Sequence, residues 1–395
     1  MNYRILSLDG GGTWALIQVK ALIALYGDST PGRTVLQDFD LVAANSGGSI
    51  VLGGLLENLT LGQLLAFFQD QTRRKSVFSP TSSFGDRVLH DLLGLGPKYS
   101  AENKLPALQN ALPTHCTKPL SAAAAGLRRL GATEDLHLLI VAFDYDRERA
   151  TFFRSSPASG PAWGVGEATE ITVAEAIHAS TNAPVNYFDA PAAFPDRSGR
   201  YWDGAVTGCN NPVLAGVTEA IVRGQAPQNL AVLSLGTATV ALPFPQPGQP
   251  SSPFVLQITD PGFVADLRLL ATSILDDPPD IATFVAHVMT GGGQGLDKPP
   301  ADSRIVRMNP LISPVKKGGA WGAPGSMSAA QFTYLAKLDM DAVEQPQVDA
   351  ISTYADLWIQ DLAPNQPIRM NEDTLERELG QDRFQAAKAA WNAIK

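Results

Sequence analysis

Short apolar runs recur along the chain, each ending in glycine or a polar residue and most leading into a longer apolar-rich stretch. Arg4-Ile5-Leu6-Ser7-Leu8 reads as a buried strand, Asp9-Gly10-Gly11-Gly12-Thr13 breaks it, and the mostly unbranched residues 14–26 read as a helix. The pattern repeats with a strand over 39–44 and a helix over 47–56, separated only by Asn45 and Ser46. Further strands are expected at 136–143, with 150–154 as hairpin partner, at 200–203, at 230–235 and near 305–308. The pairs Thr60/Gln63, Thr172/Glu175 and Ser328/Gln331 have capping-box spacing and open helices. Residues 79–131, cut by Pro80, Gly94, Pro97, Pro106, Pro113 and Pro119, are expected to form short helices and loops over the sheet, and the proline-spaced stretch 243–253 an extended surface loop.

Strands alternating with helices predict an α/β fold, a three-layer sandwich whose mostly parallel central sheet is covered by helices on both faces. In such sheets, sites gather at the carboxyl ends of the strands, where Asp9, Ser46, Asp203 and Gly236 all fall. Residues 1–310 are read as one catalytic α/β domain. Residues 311–395 are read as a mainly helical extension packed on the same domain.

Composition narrows the function. Charged residues are 17% of the 395 and hydrophobic ones 45%, so much of the chain is interior or faces something apolar. A net charge of -9, with no basic cluster longer than Arg73-Arg74-Lys75, argues against a nucleic-acid partner. That cluster is read as a helix end. Cys116 and Cys209 stand alone, which indicates neither a metal site nor a disulfide framework. With no long apolar segment at the start and no run of membrane-spanning length, the sequence suggests a soluble, cytoplasmic protein.

Ser46 has two readings. Between Ala44 and Gly47-Gly48 it suits a nucleophile on a sharp strand-to-helix turn, which tolerates only small neighbours. The same stretch suits a plain turn with Ser46 as helix N-cap. Acyl transfer also needs a base and N–H donors for the oxyanion. Asp203 and the Gly10-Gly11-Gly12 loop could supply them, although an aspartate of ordinary pKa near 3.9 is a poor base unless desolvated. Among His90, His115, His137, His178 and His287, only the last follows Asp203. It sits in a helix-like apolar run that favours a packed role.

Taken together, Asp9-Gly10-Gly11-Gly12, Asn45-Ser46-Gly47-Gly48, Ala179-Ser180-Thr181-Asn182-Ala183-Pro184, Asp203-Gly204-Ala205, Asn210-Asn211-Pro212 and Ser234-Leu235-Gly236-Thr237 resemble the ordered motifs of patatin-like phospholipases. The resemblance spans about residues 4 to 240. It implies a patatin-like fold, a Ser46–Asp203 dyad without histidine, and an oxyanion hole from Gly10, Gly11, Gly12 and Gly47. It further implies a serine esterase of the phospholipase A type that cleaves lipid acyl esters through an acyl-enzyme. No metal and no cofactor is implied; the partners are a lipid or acyl-ester substrate and transient contact with a membrane surface. Two positions depart from the family pattern: Ala44 stands where glycine is usual, and Trp14-Ala15 where a basic residue and glycine usually follow the loop.

A different class shares part of this pattern. The Asp9 to Thr13 loop also resembles the phosphate-binding turn of actin-like sugar kinases, with Gly236-Thr237 as a second phosphate loop; that reading requires a β-hairpin after Thr13. A catalytically weak lipid-binding member of the patatin-like group is a further alternative.

Overall fold

The computed structural model describes residues 2–77, 98–156, 171–184, 187–194, 199–246, 248, 251–258, 260–262, 278–292, 303–371 and 373–395. The expectations on Pro80, His90, Gly94 and Pro97 fall outside these residues, as do parts of the 243–253 stretch.

The described strands before residue 310 are β1 (Tyr3–Leu8), β2 (Leu41–Ala44), β3 (His137–Asp144), β4 (Arg149–Arg154), β5 (Ala192–Ala193), β6 (Arg200–Asp203), β7 (Leu230–Leu235), β8 (Thr239–Val240) and β9 (Ile305–Met308). The principal helices are α1 (Leu16–Tyr26), α2 (Ser46–Leu56), α3 (Val173–Ser180), α4 (Val213–Val222), α5 (Pro278–His287), α6 (Gln345–Ile359) and α7 (Phe384–Ile394). Eight strands form one sheet in the order β5-β6-β3-β2-β1-β7-β9, with β4 on the other edge of β3. β1, β2, β3, β7 and β9 pair in parallel, whereas β4 and β6 run antiparallel to β3.

Strand alternation sends successive side chains to opposite faces. Leu6, Leu8, Val42, Ile140 and Leu233 pack on one side with α1, α2, α3, α6 and α7. Ile5, Leu41, Ala43, Leu139 and Val232 pack on the other with α4 and α5. The expected three layers follow directly. All three capping boxes close as the sequence indicates. Arg73-Arg74-Lys75, read as a helix end, does place Arg74 and Lys75 in a last turn, but of a separate short helix, Gln71–Val77, because Asp70 has extended backbone and interrupts the preceding one.

Register sets the site. Leu8 is level with Ala44 on one side and Leu235 on the other, so the loops after β1, β2 and β7 emerge together. An antiparallel strand should end at the opposite edge, yet Asp203 arrives at the same place. β2 stops opposite Ile140, and β6 occupies the same flank of β3 further along, ending with Asp203 opposite Ala142. The carboxyl ends of β2 and β6 therefore meet head to head.

The described residues beyond 310 include the helices Ala329–Ala336, α6 and α7 together with short strands. Their apolar side chains belong to the same core as β1 and β2: Trp391 stacks on Phe39 with ring centroids 5.9 Å apart. Trp391→Ala should cost about 3–5 kcal/mol through the cavity it leaves. Urea unfolding followed by circular dichroism and by fluorescence should then show one coincident transition at a lower midpoint. Two separated transitions would mean that residues 311–395 fold as an independent unit.

Candidate active site

The backbone at Ser46 is unusual. Asn45 is extended, and Ser46, the first residue of α2, has φ 46°, in the left-handed region that L side chains avoid by about 1–2 kcal/mol. Two close approaches hold it there. A Cβ on Gly48 would lie 2.3 Å from the Leu8 carbonyl oxygen, and one on Gly47 would lie 2.5 Å from the Gly12 oxygen and 2.9 Å from its nitrogen. The Ser46 N–H donates to Ser180 Oγ at 2.9 Å, and Ser49 Oγ donates to the Ser46 carbonyl at 2.5 Å. The helix-cap reading fails, because Asn45 holds the cap position and makes no side-chain capping bond.

Asn45 is used elsewhere. Its Nδ2 donates to Asp203 Oδ1 at 3.2 Å, and its Oδ1 accepts from Ser180 Oγ at 3.3 Å. Asp203 Oδ1 also accepts the Ala205 N–H at 2.9 Å, while the Asp203 N–H donates to the Asn182 carbonyl at 2.9 Å. Burial pushes the Asp203 carboxyl above its ordinary value of 3.8, opposed by the Ala205 N–H, the Ser46 hydroxyl, Lys104 and Asn45. Both of these hydrogen bonds end on Oδ1, and the Ser46 hydroxyl also meets the carboxyl. The sequence asked for a desolvated aspartate, and Asp203 is only 2% exposed.

The glycine loop meets this pair from β1. Gly10, expected in the oxyanion hole, already donates its N–H to the Asn210 carbonyl at 2.8 Å. Among the described residues, the N–H groups of Gly11, Gly12 and Gly47 donate to no partner, which leaves these three free for an incoming acceptor. After the loop comes one 3₁₀ turn, Gly12–Ala15, and then α1, so the hairpin demanded by the sugar-kinase reading is absent. Trp14 is buried, and its Nε1 donates to the Asp339 carbonyl at 3.0 Å.

Two buried charges escaped the sequence reading. Arg307 of β9 pairs with Asp9 Oδ2 at 2.6 Å and donates to Ser234 Oγ at 2.9 Å. A lone arginine inside Ile305-Val306-Arg307-Met308 could have signalled a buried partner. Burial raises the Asp9 carboxyl to about 6 even with Arg307 pulling it down. Lys104 donates to the Thr181 carbonyl at 2.6 Å and lies 3.7 Å from the Phe188 ring centroid; burial holds its ammonium well below its ordinary range. Nothing around Lys104 in sequence marks it.

Ser46, Asp203, Gly12, Gly47, Lys104 and Met340 line one cavity of about 20 Å³. His115, His137, His178 and His287 do not line it. His287 is buried, with Nδ1 2.9 Å from Ser303 Oγ, and burial pushes the His178 imidazole down to about 3. No cluster of metal-ligating side chains gathers among the described residues. No described helix is long and apolar enough to cross a membrane.

Comparison with known proteins adds independent findings. Residues 6–217 match the family model described as patatin-like phospholipase. A relative from Pseudomonas aeruginosa (strain BWHPSA011 / Pa011), described as a cGAMP-activated phospholipase, is 30% identical over 244 residues, 60% of this chain. The chain spans 63% of that relative's length. The crystal structure of VipD from Legionella pneumophila is 12% identical and aligns over 90% of this chain and 67% of its own, with a TM-score of 0.37.

The Asp9–Arg307 pair gives a pH-dependent prediction. Arg307→Met leaves a buried carboxyl without its cation and should cost about 3–5 kcal/mol near pH 8. Folding already raises this carboxyl from 3.8 to about 6, so the folded state binds the proton more tightly and its stability falls as pH rises through that window. Without Arg307 the value rises further, so the deficit of the variant should shrink as pH falls toward about 5. Urea titrations at both pH values check this, and adding Asp9→Asn should restore stability near pH 8. A deficit independent of pH would exclude the account.

Proposed function

The chain belongs to the patatin-like phospholipase family, and from that premise we propose that it is a lipid acyl hydrolase working through Ser46 and Asp203. The observation that carries this reading is the strained Ser46 backbone in one cavity with a buried aspartate whose Oδ1 is fixed by Asn45 and Ala205. Ser46 Oγ attacks the ester carbonyl while its proton passes to Asp203. The developing oxyanion is met by the N–H groups of Gly11, Gly12 and Gly47, at the positive end of α2. The intermediate collapses to an acyl-enzyme and releases the alcohol, which takes the proton from Asp203. Water then attacks the acyl group, giving a proton to Asp203, and as this second intermediate collapses Asp203 returns the proton to Ser46 Oγ and the fatty acid is freed. Elevation of the Asp203 pKa by burial brings the base closer to the proton affinity the first step demands.

The substrate is an acyl ester of a phospholipid or related lipid, met at a membrane surface. Because a relative is described as cGAMP-activated, the assay is run with and without that nucleotide. Ser46→Ala and Asp203→Asn should each lower hydrolysis of p-nitrophenyl acyl esters by roughly 10³-fold or more while leaving thermal melting intact. Fluorophosphonate labelling should vanish in the serine variant. The wild-type rate should fall on acidification through a pKa raised above 3.8, since only the ionised base accepts the proton. A folded wild-type protein that neither labels nor turns over in either condition would instead favour the catalytically weak lipid-binding alternative.

A further inference from the structure

A cavity of about 20 Å³ at Ser46 holds about one water molecule, against roughly 300–1,000 Å³ for a typical ligand pocket. The substrate reading therefore requires a wall to move. Of the lining residues, Gly12, Ser46, Gly47 and Asp203 belong to the proposed machinery, and Lys104 is tied down by Thr181 and Phe188. Met340 differs from these. It comes from the part of the chain outside the family match, on a segment with no regular structure between the helix Ala329–Ala336 and α6.

That segment lies across the glycine loop as a strap. The Met340 carbonyl accepts the Thr13 N–H at 3.2 Å and packs directly on Gly12. Asp339 accepts the Trp14 indole N–H on its carbonyl, and its side chain accepts from Tyr187 Oη at 2.5 Å and Lys98 Nζ at 3.2 Å. Asp341 accepts from Lys98 Nζ at 3.1 Å and Tyr99 Oη at 2.6 Å. Arg74 Nε holds the Val343 carbonyl at 3.0 Å beyond it. The Asp339 side chain is half exposed, so its ion pair exchanges readily with water. On the far side of Met340 and Tyr187 lies a second cavity of about 380 Å³, also lined by Trp14 and Asp339. Met340 and Tyr187 line both spaces, one too small for a substrate and one of substrate size.

We propose that the strap Asp339-Met340-Asp341 gates Ser46 and that Met340 determines which acyl groups reach it: seated, it closes the site, a small displacement makes room for short acyl groups, and full displacement joins the two cavities into one cleft for a long chain. This rests on Ser46 being the nucleophile, and the test separates the two claims. Short-chain and long-chain alkyl fluorophosphonates are compared for their rate of labelling Ser46 in the wild type, in Met340→Ala, and in a Lys98→Met/Tyr99→Phe latch variant whose changed residues line neither cavity. The ratio of long-chain to short-chain rates should rise about tenfold or more in both variants, the low end of what even one methylene gained in an apolar pocket is worth. Hydrogen exchange on the wild type needs no variant to fold. Amides of residues 338–343 should exchange faster once the long-chain probe is attached, and not with the short one. Equal ratios with Ser46 labelled, or exchange unchanged by the long-chain probe, would overturn the gate and leave the nucleophile standing. Absence of Ser46 labelling by either probe would overturn both.

Discussion

The contact between the start of α2 and the loop after β1 is the constraint from which the site follows. Gly48 lies against the Leu8 carbonyl and Gly47 against the Gly12 backbone, with no room for a methyl group at either position. Backbones this close fix three things together. Ser46 is forced to φ 46°, the backbones of Gly12 and Gly47 come side by side, and β1 and β2 are locked in register at Leu8 and Ala44. A larger residue at either glycine would open the contact and relax Ser46, so the local strain and the close approach of the two backbones share one physical cause.

A second constraint brings the acid to the serine. β3 is long enough to pair β2 along its first half and β6 along its last residues on the same flank. The gap between them is filled by Asn45, which bridges Asp203 to Ser180, while Ser180 accepts the Ser46 N–H. Each of these buried polar atoms finds a partner, as a low-dielectric interior requires. The network ends at Lys104, whose ammonium is held by the Thr181 carbonyl, one residue before the Asn182 carbonyl that receives the Asp203 N–H.

The parts of this arrangement visible in sequence are those enforced locally. Apolar runs ended by a polar residue or glycine marked β1, β2 and β7, capping boxes marked three helix starts, and small residues around Ser46 marked the turn. What escaped depends on distant pairing. The antiparallel sense of β6 is decided by which flank of β3 is vacant, and residues 200–203 do not encode that. Gly10 reads like Gly11 and Gly12 until Asn210 takes its N–H. Arg307 and Lys104 are ordinary basic residues until the fold buries them beside Asp9 and Thr181. Met340 has no signal at all, since its role comes from where the chain crosses the loop rather than from its chemistry.

Trp14 in place of a basic residue poses the remaining question of charge. A cation beside the loop would help an oxyanion, and here the indole binds the Asp339 carbonyl instead. Lys104 is a weak substitute, because burial disfavours its charged form. On the proposed mechanism the site needs no added cation, since its total charge does not change. As the serine proton reaches Asp203, the negative charge leaves that carboxylate and appears on the oxyanion a short distance away. The cost of the step is then the difference in how well the two positions hold an anion. Burial, by raising the proton affinity of Asp203, makes the starting position worse, and the N–H groups of Gly11, Gly12 and Gly47 with the α2 terminus make the final one better. A dyad without histidine is workable to the extent that these two effects add, and both depend on keeping water out. Trp14 anchors the strap that covers this cavity, so on the proposed mechanism the indole would act by holding a cover against water once substrate is bound, where a cation would act by attraction.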